Sequence, residues 1–206
     1  MRGVRRSVSV GCAAVLLTAM AAAQTKAQVK AKTGVAVGAV LIASPTMPDT
    51  RFQHAVVVIT NIGPGGVAGL VLNRASGSSV ALSLPQLTSA HGHSEAAYWG
   101  GPVHGETVSC ILAISGPLRE AKRILPGVYV STSTALMDLA LRAQKDATSF
   151  RVYRGYTGWT QVQLRHEMAL GMWKELPGTE AVLFDATPAT LWQRLVNPPA
   201  TAHPGP

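Results

Sequence analysis

"YRGYTGWTQVQLRHEM", Tyr153 to Met168, contains a change of period. Glycines and aromatics interleave up to Trp159, and a polar run with helical spacing follows. Thr160 and Gln163 have capping-box spacing. The threonine hydroxyl can accept from the Gln163 N–H, and the glutamine side chain can reach back to the N–H of Thr160. Trp159 before the cap and Leu164 inside the helix are placed to form a hydrophobic staple. Leu164, Met168 and Met172 recur at i, i+4 and i+8 with Trp173 beside them, so the pattern predicts a helix from about Gln161 to Glu175. Gly155 and Gly158 allow the backbone to turn tightly between strand and helix. His166-Glu167 resembles the start of an H-E-x-x-H zinc motif. Position 170 is Leu, so the second ligand on that face is missing.

Outward from this stretch, "SFRVYRG" reads as a strand leading into it. "VAVGAVLIASP" and "HAVVVIT" are apolar runs rich in valine and isoleucine, bounded by turn residues, and read as buried strands. "IGPGG" separates the second from "VAGLVLN" in the manner of a hairpin. "AAYWGGPV", "VSCILAIS" and "GVYVSTS" are further extended segments, and Ser76 to Ser94 is less regular. "TALMDLALRAQ" shifts to helical spacing, with Leu136, Leu139, Ala140 and Ala143 on one face and Ser133 as N-cap. "AVLF" reads as a last strand. Thr187 then caps a final helix with Pro188 at its first position. Strands crowd the first half and helices the second. That order predicts an α+β fold rather than regular βαβ winding.

The chain has 206 residues, of which 47% are hydrophobic and 14% charged, enough apolar matter for a core. Residues 1–23 place Arg2, Arg5 and Arg6 before an apolar run from about Val8 to Ala23 that ends in small residues. That is the order of a secretory signal peptide. The run is short for a membrane span, which needs about 20 apolar residues. A flexible spacer is expected over residues 24–34, one domain over 35–196 and a disordered tail over 197–206. Without Arg2, Arg5 and Arg6 the formal charge falls from +8 to about +5, with the positive residues scattered. Cys12 leaves with the signal. Cys110 then stands alone in an apolar run, where a buried, inert thiol is expected.

The chemistry-bearing patterns are sparse. Gly63, Gly65, Gly66 and Gly69 precede a strand, so no helix N-terminus faces a phosphate, and the cluster reads as a turn. No carboxylate or thiol cluster accompanies His91, His93 and His104, and no metal or cofactor is expected. G-x-S-x-G does not occur, and Ser44, Ser131 and Ser133 have no nucleophile context.

Five segments in order carry a family resemblance. They are "LIASPTMPDTRFQHAVVVIT", "GGVAGLVLNR" ending at Asn73–Arg74, "GGPV" at Gly100–Val103, "GYTGW" with Gln163, Leu164, Glu167 and Trp173, and "VLFDATPATLWQRL". Over about Val37 to Val196 the chain resembles the AlgH/YqgE family of bacterial proteins. Val162 stands where the family commonly has glycine, and Ala135 where an Asp is often seen. The N-terminal extension is the largest departure. The resemblance implies a compact single α+β domain around a bent or split mixed β-sheet, pseudo-barrel-like, with helices packed outside. It implies little about activity, since the family is largely uncharacterised and its transcriptional-regulator label comes without a DNA-binding motif.

Three functions are open at this stage. A non-catalytic binding or regulatory domain would take an unidentified protein or small molecule, with Asn73, Gly100, Gly101 and Tyr156 as surface candidates. Each of these could equally be a turn or packing residue. An unrecognised hydrolase-like enzyme would need His104, Asp49 or Ser44 to meet in one cleft. A DNA-binding regulator would need a basic face or reading helix. The signal segment implies a periplasmic or secreted protein, away from nucleic acid and not stably inserted in a membrane once the signal is removed. A misplaced start codon would instead leave it cytoplasmic.

Overall fold

The structure, a computed structural model, describes residues 34–143 and 149–198. The signal segment, nearly all of the expected spacer, and the tail from residue 199 lie outside the described residues. Ten strands form one sheet: β1 Val40–Ala43, β2 Val56–Gly63, β3 Gly66–Val71, β4 Ala75–Ser79, β5 Ala96–Trp99, β6 Val103–Ala113, β7 Lys122–Leu125, β8 Val128–Ser131, β9 Phe150–Trp159 and β10 Trp173–Leu176. Among the described residues five α-helical segments accompany them: α1 Val80–Ser83, α2 Thr134–Arg142, α3 Gln161–Ala169, α4 Glu180–Leu183 and α5 Pro188–Val196. The main path runs β10-β1-β2-β3-β9-β6-β8-β7. β4 and β5 branch off it, and β5 runs parallel to β9 with Tyr98 opposite Tyr153, while the other pairings are antiparallel. This is the α+β class that the element order implies.

The sheet curls without closing into a barrel. Lys122 on β7, at the far end of the path, reaches round to donate to Asn61 Oδ1 on β2. A Cβ on Gly38 would lie 2.3 Å from the Ile124 carbonyl, so β7 passes tightly against the chain entering β1. The curl buries both faces of its central strands. Val40, Ile42, Val56, Val58, Ile111 and Tyr153 point inward to one core. Leu41, Val57 and Ile59 point outward to a second, under α3 and Trp159. Cys110, Leu112, Val152 and Phe150 point outward to a third, under α2. The two-residue alternation of β-strands, applied with both faces buried, explains why these runs are apolar throughout. Cys110 is fully buried, and its apolar surroundings push the thiol up to about 12.

One end of the curl is plugged. Leu183, Phe184, Leu191 and Trp192 of the α4–α5 segment complete the inner core. The Trp192 indole donates to the Ala43 carbonyl at 2.8 Å, where β1 ends. Arg151, 4% exposed near the start of β9, donates to the carbonyls of Leu183 and Asp185. Asp185 in turn pairs with Arg194 of α5. Burial alone would raise the Asp185 carboxyl, but Arg194 and Thr187 outweigh it and hold it below its ordinary value.

Several expectations are corrected. The helix from Gln161 stops at Ala169 instead of Glu175, and Trp173 belongs to β10. Gly171, at φ 69°, lets its own N–H reach Met168 O and the Met172 N–H reach Glu167 O. That is a Schellman ending, which the continuing apolar spacing concealed. "AVLF" lies largely in α4, started by Thr179, whose hydroxyl accepts from the Val182 N–H. Ser133 does cap α2, but the buried face is Met137, Ala140 and Leu141, and Leu139 is 59% exposed. Thr187 sits at the N-cap of α5 with Pro188 following, yet its hydroxyl lies against Asp185 and makes no cap bond. Gly155 and Gly158 lie inside β9, so the strand runs on where a turn was expected. Gly155, at φ 67°, is instead the one β9 residue opposite a bulge whose extra residues belong to β6. Tyr153 and Tyr156 both pack on the inner core although three residues apart.

Candidate functional site

The strand directions leave the end opposite α5 open. There β2, β8 and β9 finish, and β3, β6 and β7 begin. Between them lies a cleft of about 950 Å³. Its floor is apolar, from Val67, Ala68, Leu70, Val103, Val130 and Tyr156. Its walls carry the hydroxyls of Thr107, Ser109, Ser131 and Thr132, with Lys122 and Glu120 on one side and Thr160 and Gln163 on the other. The volume falls within the range of small-molecule sites, roughly 300–1,000 Å³.

Most of the polar wall is engaged. The Thr60 hydroxyl donates to Ala68 O, and Ser131 Oγ donates to Glu120 O while accepting from the Ser133 N–H. Glu120 Oε2 accepts from Ser133 Oγ at 2.7 Å. Ser109 differs. It is 7% exposed, and its buried hydroxyl has no hydrogen-bond partner among the described residues.

β6 bulges beside the cleft, between the pairs Val103–Tyr156 and Val108–Arg154. His104 in this bulge has φ 46°, a region that costs a non-glycine residue on the order of 1–2 kcal/mol. Its ring stacks on Tyr156 at 5.9 Å, and its Nδ1 lies 3.1 Å from Glu106.

A smaller cavity of about 170 Å³ adjoins the cleft and shares Val103, Gly158, Trp159 and Gln163 with it. Phe52, Trp159 and Trp173 line it, with ring centroids 5.8–6.2 Å apart. Glu167 binds this group together. Its Oε2 accepts from both indoles, and its Oε1 accepts from the Gln163 amide at 2.9 Å. The carboxylate of the half zinc motif is therefore a structural acceptor.

The opening stretch takes a modified form. Thr160 Oγ1 accepts from the Gln163 N–H at 3.0 Å, as the cap requires. Trp159 and Leu164 share the core beneath α3, as the staple requires. The Gln163 side chain turns forward to Glu167 rather than back to Thr160.

The four candidate surface residues separate. Asn73 uses its amide internally, accepting from the Val56 N–H at 2.9 Å and donating to His54 O at 2.8 Å. Gly100 and Gly101 lie flat on β9. A Cβ on the first would meet Gly155 O at 2.2 Å, and on the second Tyr156 C at 2.3 Å. Only Tyr156 presents a side chain to the cleft. Ser109 and Lys122, which the sequence reading passed over, lie on strands far from it in sequence. The residues considered for an enzyme are engaged separately: Ser44 with Thr46, Asp49 with Arg51, and His104 with Glu106. No hydrogen bond joins any two of Ser44, Asp49 and His104. Hydrogen bonding to Arg51, partly opposed by burial, holds the Asp49 carboxyl below its ordinary value.

The chain is similar in sequence to known bacterial proteins and in fold to solved structures. A UPF0301 protein of Thermobifida fusca is 32% identical over 169 residues, covering 78% of this chain and 85% of its own length. A UPF0301 protein of Idiomarina loihiensis is 28% identical over 159 residues, covering 75% and 85%. The solution structure of the AlgH protein from Pseudomonas aeruginosa superposes with a TM-score of 0.63 at 26% identity, over 77% of this chain and 85% of that one. The crystal structure of a Corynebacterium diphtheriae protein gives 0.64 at 20% identity over 77% and 84%, a likeness of fold. The family model described as AlgH-like, DUF179, matches residues 40–199, and the chain belongs to that family.

Proposed function

We propose that this chain is a non-catalytic binding protein whose small-molecule ligand occupies the open-end cleft. The observation that carries this reading is the Ser109 hydroxyl, buried in the cleft wall without a partner among the described residues. Leaving such a group unsatisfied costs roughly 1–3 kcal/mol, and a bound ligand would offset that cost. The apolar floor beneath a few polar groups is the usual make-up of a ligand site. The signature Gly155–Gln163 forms one side of the cleft, so the residues that mark the family also shape it. The reading is tested by mapping a mixed small-fragment library onto the amide spectrum of the protein. Fragments are expected to shift Ser109, Thr107 and Tyr156 in preference to the α5 end. Hits confined to other surfaces would contradict it.

We further propose that the protein acts outside the cytoplasm, on the strength of the signal-like order of residues 1–23. Intact mass of the protein from a periplasmic fraction is expected to lack about the first 23 residues. Full-length protein confined to the cytoplasm would contradict export and leave the cleft reading untouched.

A further inference from the structure

The cleft lining carries one lysine and one carboxylate, and their partners differ. Lys122 holds only the neutral Asn61 amide oxygen, which occupies one of an ammonium's three donors. No carboxylate lies within ion-pair distance of it among the described residues. Lys122 stands exposed at the strand edge, and partial burial of its ammonium lowers its pKa. Glu120, the one carboxylate of the cleft lining, keeps its negative charge but turns to the Ser133 hydroxyl and makes no ion pair with Lys122 among the described residues. On the opposite wall Thr160 caps the N-terminus of α3, which has no acidic residue in its first turn and contributes a partial positive charge of its own. Ser109 adds an unpaired hydroxyl buried in the cleft wall.

Resting on the binding reading above, we propose that the cleft takes a small organic anion, its carboxylate or phosphate group held at Lys122 and its apolar body laid against Leu70, Val103 and Tyr156. A neutral ligand would leave the ammonium uncompensated, and a cation would be repelled by it. A fully polar anion would waste the apolar floor. The pairing of one charge-assisted contact with an apolar body matches what the lining offers.

The test titrates the ¹⁵N-labelled protein, as isolated from cells, with phenylacetate, phenyl phosphate and the neutral phenylacetamide. At least one anion is expected to shift the Ser109, Lys122 and Tyr156 amides and to bind about ten-fold more tightly than phenylacetamide. The stronger of the two anions identifies the head group. Lys122→Gln, an exposed strand-edge change, should lower anion affinity by about the same factor and leave phenylacetamide unchanged. Phenylacetamide binding in the cleft as tightly as both anions would overturn the anion proposal while the binding reading survived. So would a Lys122→Gln protein that binds the anions undiminished. No cleft shifts with any of the three probes would overturn both readings.

Discussion

The indole N–H groups of Trp159 and Trp173 converge on a single oxygen, Glu167 Oε2, at 2.9 and 2.8 Å. Both tryptophans are buried, at 5% and 3% exposure, so neither indole has ready access to water as an alternative. The carboxylate ties the end of β9 to the start of β10 through α3. Glu167→Ala should therefore lower unfolding stability by roughly 2–5 kcal/mol, because it orphans two buried donors. Glu167→Gln keeps one acceptor oxygen and should cost distinctly less. Urea denaturation measures both, and an alanine variant within about 0.5 kcal/mol of wild type would contradict this role.

Separating the cap from its neighbour gives a second prediction. Thr160→Ala removes the side-chain acceptor of the Gln163 N–H and should cost about 1 kcal/mol, within the 0.5–2 kcal/mol range for lost caps. Gln163→Ala removes only a bond to Glu167 on the helix surface and should cost less. Equal or reversed losses in thermal unfolding would restore the reciprocal capping box that the sequence suggested.

Gly101 and Gly77 test backbone packing against backbone freedom. Both have positive φ, at 151° and 78°. A Cβ on Gly101 would meet main-chain atoms of Tyr156 and Thr157 at 2.3–2.4 Å, whereas one on Gly77 meets nothing within 4 Å. Gly77→Ala should cost only its backbone strain, on the order of 1–2 kcal/mol. Gly101→Ala adds a clash that neither strand can relieve and should cost about 2–4 kcal/mol. Similar melting temperatures for the two variants would contradict the flat packing of this segment on β9.

The sequence disclosed local structure better than assembled structure. The β2–β3 hairpin was legible because "IGPGG" places turn residues between two apolar runs. The caps at Ser133 and Thr160 were legible because capping depends on residues a few positions apart. The end of α3 was not, since Met172 and Trp173 continue the apolar spacing past Gly171, and only a glycine at positive φ marks the break. "AVLF" looked like a strand from its composition, but its place against Arg151 and the inner core made it helical. The inward face of α2 was misjudged by one position, because Leu139 and Met137 are equally apolar and only the sheet beneath decides between them.

The cleft was largely illegible for a related reason. Its walls come from the ends of six strands, and Asn61, Ser109 and Lys122 are brought together only by the curl. Tyr156, which lines the cleft, was singled out because it lies in a recognisable signature. Ser109 had no such signal, since a serine inside an apolar run reads as part of a strand. Asn73, Gly100 and Gly101 stood out in the sequence for sound physical reasons, and the structure places them in main-chain packing.

The central claim is that the open-end cleft holds a small molecule. Native mass spectrometry of the protein, isolated gently from the cells that make it, tests this most directly when compared with a Thr107→Trp variant whose indole fills the cleft. The wild-type protein should carry an added mass of a few hundred daltons, the size a cleft of about 950 Å³ admits, and the variant should fly bare while retaining its fold. An adduct that persists in the Thr107→Trp protein, or a wild-type protein that is bare from every preparation, would contradict the account.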